Sequence, residues 1–287
     1  MSNKVIMCWV IVALLLSQTV TASSLGNHNK KFTPSSKMSK SDWSDVNEMK
    51  RAWDAAIVRI PETNGSYSSY IMSDMTEQSS KALKSFPTII YLHGCSGVWQ
   101  GTYNRINFLA NAGFVVIAPV SFARAKYPQS CDPDTVKSSM YRGTINMRKY
   151  DAEYAISHAK LLNWVDGNNI FLMGFSQGGV TTATFKSKHD ATSVNARVIE
   201  GWTCHAGWGE YKGINASANE PVLSLVGEND PWFQNSWSLG DCGSYMNKDN
   251  GSRSIVLTKS ALRSRHSLLE DKDLQKTVLE FLRSHMR

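Results

Sequence analysis

Six short apolar runs, closed by glycine or a polar turn and mostly separated by helical patterns, dominate this 287-residue sequence. They are FPTIIYLHG (86–94), FVVIAPVSF (114–122), NIFLMGFS (169–176), ARVIEGWTCH (196–205), PVLSLVGEN (221–229) and RSIVLTK (253–259). Runs of this length without strict polar–apolar alternation predict strands buried on both faces. Helices are predicted at TYNRINFLANAG (102–113), over 144–162 with Ile145, Tyr150, Tyr154, Ala155 and Leu162 in period, at QGGVTTATF (177–185), and at KDLQKTVLEFLRSH near the end. The alternation predicts an α/β fold, a mostly parallel central sheet with helices on both faces. Ligands of such sheets bind at the carboxyl ends of the strands, so the strand exits are where function is to be sought. Residues 43–85 leave strand and helix assignments both open.

The N-terminus has a different character. A basic MSNK precedes VIMCWVIVALLL, twelve apolar residues, against the roughly 20 a membrane-spanning helix needs. Val20-Thr21-Ala22 then offers a small-residue cleavage site. Residues 1–22 are expected to be a secretory signal peptide, with an uncleaved anchor as the alternative. Residues 23–42, polar and aperiodic, are expected to be a flexible leader, and 43–287 a single domain. The protein is then secreted or periplasmic, with no stable membrane association after cleavage. Cleavage removes Lys4 and no acid, so the net charge goes from +7 to +6. The basic residues are scattered, which argues against a nucleic-acid partner. Sequons stand at Asn64, Asn215 and Asn250. Beyond the leader stand Cys95, Cys131, Cys204 and Cys242, none in CxxC or CxxH spacing, so disulfides are expected and a metal site is not.

Gly174-Phe175-Ser176-Gln177-Gly178 matches G-x-S-x-G between a strand and a helix, the context that lifts a serine hydroxyl above the sheet. Cβ atoms at the two glycines would crowd each other across so tight a turn. The alternative is a structural serine ending a buried strand. A nucleophilic serine needs a base and an acid to orient that base, and in this chain order the acid and then the histidine follow the serine. His266, in a loop before the last helix, is the candidate base, and His285 reads as a helix-end cation. Asp230, leaving the fifth run, is the candidate acid, with Glu228 beside it as the alternative. HGCSG (93–97) suits a loop of backbone donors. The oxyanion donors are expected to be the N–H groups of Gln177 and Cys95, or Ser96 in place of Cys95. His93 is expected only to hold that loop.

Taken together, LHGCSG, VVIAP, GFSQGG, GENDPW and the late His266 resemble an alpha/beta hydrolase, and within that fold the dienelactone hydrolase family, over residues 85–287. The resemblance implies a Ser176–Asp230–His266 triad and cofactor-free acyl transfer to water. It is not complete: the enzymes that give the family its name carry a cysteine nucleophile and no export signal. The expected function is a secreted serine hydrolase acting on a small ester or lactone. A polymer-directed esterase, a peptidase and a non-catalytic binding protein on the same scaffold are the alternatives. Strand topology suggests Cys95–Cys131 and Cys204–Cys242 bridges, each joining loops at neighbouring strand exits. Trp99, Tyr127, Trp202, Trp208, Trp232 and Trp237 crowd the same edge and suggest an apolar pocket wall. Trp202 and Trp232 are taken as substrate contacts, and Arg124, Arg142 and His205 as candidates for gripping an anionic group.

Overall fold

The computed structural model describes residues 30–75, 84–259 and 261–287. The expected signal peptide and residues 23–29 lie outside the described residues. The strands are β1 (Ile57–Pro61), β2 (Tyr67–Ile71), β3 (Phe86–Leu92), β4 (Val115–Ala118), β5 (Val165–Phe175), β6 (Ala196–Glu200), β7 (Val222–Gly227) and β8 (Arg253–Leu257). They form one sheet in the order β2-β1-β4-β3-β5-β6-β7-β8. Every pairing from β4 across to β8 is parallel, and only β1 runs antiparallel to its two neighbours. The helices are α1 (Val46–Asp54), α2 (Gln100–Asn111), α3 (Thr144–Ala159), α4 (Gln177–Thr184) and α5 (Lys272–Ser284). This is the mostly parallel, two-faced sheet of an alpha/beta hydrolase.

The apolar runs do not alternate because both faces are covered. Ile89, Tyr91, Val116, Ala118, Phe171 and Met173 pack on one face with Ile106 and Leu109 of α2 and Val278 and Phe281 of α5. Their neighbours Ile90, Leu92, Val115, Ile117, Ile170 and Leu172 point the other way, onto Trp53 of α1 and Ala152, Ala155 and Ile156 of α3. Of residues 43–85, those described before 76 resolve into α1, capped by the Asp45 carboxylate on the N–H groups of Asn47 and Glu48, and the β1–β2 pair; residues 76–83 lie outside the described residues. Strand β1 is hard to read as buried because Arg59 sits in its middle. Its guanidinium is satisfied by Asn107 Oδ1 at 3.1 Å and lies over the Tyr67 and Tyr103 rings.

Residues 30–42, the described part of the expected leader, touch the body. The Thr33 N–H donates to Tyr127 O at 2.8 Å, Lys30 Nζ to Arg124 O at 2.7 Å, and the Phe32 ring meets Phe122 edge-on. Arg124 closes the attachment by donating to the carbonyls of Asp42 and Trp43. The partners lie about ninety residues away in sequence, where local composition gives no sign of them.

Candidate active site

Ser176 stands between β5 and α4 with φ 55° and ψ −119°, a left-handed conformation that a residue with a side chain adopts at a cost. Its N–H donates to Glu200 O at 2.8 Å and its carbonyl accepts from Val180 N. The glycines have separate reasons. A Cβ on Gly174 would land on the Gly178 carbonyl, whereas one on Gly178 would land on Leu92 O at the end of β3. The two positions therefore do not crowd each other symmetrically, as the motif alone suggests; Gly178 keeps the turn against the neighbouring strand. A Cβ on Gly179 would meet Glu200 O at 2.9 Å.

Asp230 leaves β7 and is fully buried. Its Oδ1 accepts from Trp232 N at 3.0 Å, and its Oδ2 accepts from His266 Nδ1 at 2.7 Å. The loop carrying His266 fits because two glycines leave it room. A Cβ on Gly227 would meet the carbonyls of Leu262, Arg263 and Arg265, and one on Gly201 (φ +66°) would come within 3.1 Å of His266 Cε1. With Nδ1 committed to Asp230, Nε2 has no partner among the described residues, Ser176 Oγ included, and Ser176 lines the same cleft. Catalytic hydrogen bonds of this kind are commonly loose before substrate binds. Glu228 instead pairs with Arg263 at 2.6 Å in solvent, and His285 caps the end of α5, bonded to Phe281 O.

The N–H groups of Gln177 and Cys95 donate to no acceptor among the described residues. The Gln177 side chain is pinned by Arg148 Nη1 and Ser130 Oγ, and Arg148 Nη2 also donates to His93 O. One buried arginine thus braces both halves of the expected oxyanion site. His93 Nε2 accepts from Ser121 N at 3.2 Å, so the proton is on Nδ1, which donates to Gly94 O at 2.7 Å. Burial, with the Arg148 charge beside it, holds the His93 pKa down to about 3.

The folded state therefore binds fewer protons than the unfolded one between about pH 6.5 and 3. The stability this contributes is fully present above that window and falls as pH drops through it, by up to about 1.4 kcal/mol per pH unit. Urea unfolding at pH 7, 5.5 and 4.5 checks this. His93→Gln should flatten the acid limb, and an unchanged slope would assign the acid loss to other groups.

Both disulfides pair as the topology suggests. Cys95–Cys131 (Cα–Cα 5.9 Å) ties the HGCSG loop to the long loop after β4, and Cys204–Cys242 (4.9 Å) joins the loops after β6 and β7. Trp202 and Trp232 line a pocket that opens at Ser176. The three candidate anion grips stand elsewhere. Arg124 is fully buried, its charge matched by Asp151 at 2.7 Å and its guanidinium also held by the carbonyls of Asp42 and Trp43, so it is not exposed to a ligand. Arg142 pairs with Glu210 at 3.4 Å over the Trp208 face, and His205 Nε2 bonds Asp241 O. Neither is among the residues that line the pocket.

Sequence reasoning passed over Glu200 and Arg105. The Glu200 carboxylate, completely buried, takes Arg105 in a bidentate pair and accepts the N–H groups of Leu268 (2.8 Å) and Leu269 (3.0 Å), just beyond His266. Arg105 reaches Ser267 Oγ at 2.9 Å and covers the Phe175 ring. Through its carbonyl and its carboxylate, Glu200 fastens the serine turn and the histidine loop to one point. The signal in the sequence is an acid in an otherwise apolar strand.

Comparison with known proteins gives a consistent picture. The family model described as "Dienelactone hydrolase family" matches residues 75–250, more than half of the chain. A curated relative, dipeptidyl-peptidase 5 of Porphyromonas gingivalis, is 27% identical over 195 residues, covering 66% of this chain and 24% of its own length. The chain thus spans about a quarter of that relative. Among solved structures, a dienelactone hydrolase-like promiscuous phosphotriesterase from metagenomic libraries is similar at 15% identity and a TM-score of 0.48, covering 81% of this chain and 100% of the other. A butyrate-bound thermophilic esterase of Thermogutta terrifontis is similar at 15% identity and a TM-score of 0.46, with coverages of 80% and 88%.

Proposed function

The chain belongs to the dienelactone hydrolase family and is a hydrolase of the esterase kind, and from that premise we propose that Ser176, His266 and Asp230 hydrolyse a small carboxylic ester or lactone through an acyl-enzyme. The observation that carries the reading is a strained serine on a strand-to-helix turn sharing a cleft with a histidine already oriented by a buried carboxylate. Ser176 Oγ attacks the carbonyl carbon while His266 Nε2 takes its proton. The N–H groups of Gln177 and Cys95 receive the oxyanion, helped by the N-terminus of α4. As the C–O bond breaks, the imidazolium gives that proton to the leaving alcohol, and Asp230 balances its charge. Water, deprotonated by His266, then attacks the acyl carbon and releases the acid, returning the proton to Ser176. The two disulfides and the signal-like residues 1–22 support a secreted or periplasmic setting.

The test is labelling of the purified, oxidised protein with a serine-directed fluorophosphonate, read by intact mass and peptide mapping. A single adduct on Ser176 is expected. An adduct elsewhere, or none on folded protein, would overturn the assignment. The likeness to a dipeptidyl-peptidase raises amide cleavage by the same residues. A dipeptide p-nitroanilide assayed beside p-nitrophenyl esters separates the two, and the ester is expected to be the better substrate.

A further inference from the structure

Arg105, Arg124, Arg148 and Arg197 are each at most 1% exposed. A cation so far from water is costly unless a carboxylate comes with it. Three of the four obey: Arg105 pairs with Glu200, Arg124 with Asp151 and Arg197 with Glu220. Arg148 has no ion pair among the described residues. Its donors go to neutral oxygens instead, Nη1 to Gln177 Oε1 at 3.2 Å and Nη2 to the His93 carbonyl. Its Nε has no partner among the described residues.

The groups that face Arg148 do not make up for this. Asp151, one turn further along α3, already takes two bonds from Arg124 on its Oδ1. The others are the phenols of Tyr91, Tyr127 and Tyr211. Burial pushes the pKa of each phenol up, so all three stay protonated and neutral. His93 beside it is neutral as well. Two guanidiniums therefore share the Asp151 carboxylate, and one positive charge is left unmatched.

That charge stands behind the expected oxyanion site. Both oxygens that Arg148 holds belong to residues of the site: Gln177 supplies one N–H donor, and His93 opens the HGCSG loop that supplies the other from Cys95. A fixed charge acts strongly on an anion where water is excluded. A neutral ester carries no charge to meet it, so the gain falls on the transition state and not on substrate binding.

We propose, resting on the serine-esterase reading above, that Arg148 is the positioning residue of the oxyanion site: it fixes Gln177 and the HGCSG loop from behind, and its unmatched charge finds a counter-ion only in the tetrahedral oxyanion. The fold then carries a buried cation that weakens it in the resting state and serves the reaction.

Arg148→Met, which leaves an apolar side chain and no charge, is compared with wild type in three measurements. In p-nitrophenyl butyrate hydrolysis, kcat should fall by about 10²-fold, near the lower end of what loss of an oxyanion donor costs. KM should stay within about threefold, because the ground state is neutral. A trifluoromethyl ketone, whose serine adduct is an anionic hemiketal, should bind more weakly by about the same factor as kcat falls. The urea midpoint should hold or rise. A residue that serves the fold alone gives the reverse, a lower midpoint with kcat of the folded protein preserved. Arg148→Lys returns a cation without the two-pronged grip and should keep kcat and ketone affinity within about tenfold of wild type. It decides the matter if the methionine variant does not fold. Full kcat in Arg148→Met, or a loss in Arg148→Lys as deep as about 10²-fold, overturns the inference and leaves the hydrolase reading standing. Absence of ester turnover in wild type together with absence of a fluorophosphonate adduct brings down both.

Discussion

Ser176→Ala should lower ester turnover by about 10⁵- to 10⁶-fold, His266→Ala by a similar amount, and Asp230→Asn by about 10⁴-fold. The ranking follows from what each change removes. Without the Ser176 hydroxyl no acyl-enzyme forms. Without His266 the hydroxyl remains but its proton has no acceptor, because among the described residues Nε2 is the one free base in the cleft. The Asp230→Asn variant would keep the loop, since the new amide oxygen can still accept from Trp232 N, but the amide group facing His266 Nδ1 favours the wrong tautomer. Combining the three should add little to the serine change alone, because the residues act as a unit. Rates come from p-nitrophenyl butyrate hydrolysis, with near-ultraviolet circular dichroism as the check on fold. Losses that multiply across the combined variants would mean that the three side chains do not share one step.

The second large effect is expected on stability. Glu200→Gln leaves the Arg105 guanidinium buried without its counter-ion and should cost about 3–5 kcal/mol, against a total of about 5–15 kcal/mol for a domain. Leu268 and Leu269 both donate to one oxygen of the carboxylate, and the neutral amide oxygen that replaces it holds them more weakly, so turnover in the surviving folded protein should fall by about tenfold as the His266 loop slackens. The double variant Arg105→Met, Glu200→Leu separates the two roles. Replacing a buried pair by apolar side chains restores much of the stability, but it cannot restore the anchor, so kcat should stay low while KM changes little. Urea unfolding and steady-state kinetics on the same samples decide it. Recovery of kcat with stability would make Glu200 a purely structural acid.

Most of the sheet is legible because burial on two faces leaves a plain record. Six apolar runs fall on β3 to β8, though the runs at 114–122 and 196–205 overshoot their strands by four and five residues and β5 begins four residues before its run. What stays hidden is wherever a charge is buried. Arg59 breaks the pattern of β1 and is satisfied by Asn107, 48 residues away. On α3, Tyr150 and Tyr154 keep helical period but are only half-buried, while the inward face carries Arg148 and Asp151. Those two cannot be recognised as interior until their partners are known. Arg124 misleads for the same reason: a cation near a strand exit looks available for an anion, and the Asp151 that consumes it lies on a different element. The candidate site is more legible than its supports. The glycines, the serine, Asp230 and His266 have short-range signatures, whereas Glu200 and Arg105 meet across 95 residues.

The cysteines join in the order in which they are made. Cys95 pairs with Cys131 and Cys204 with Cys242, closing spans of 36 and 38 residues that neither nest nor cross. In a chain that emerges N-terminus first, the first bridge can close before Cys204 has appeared. The second can close without disturbing the first. Of the three possible pairings this is the one a vectorial oxidant reaches by joining each cysteine to the next newcomer, so the scaffold around Ser176 can be built correctly without a later exchange of partners.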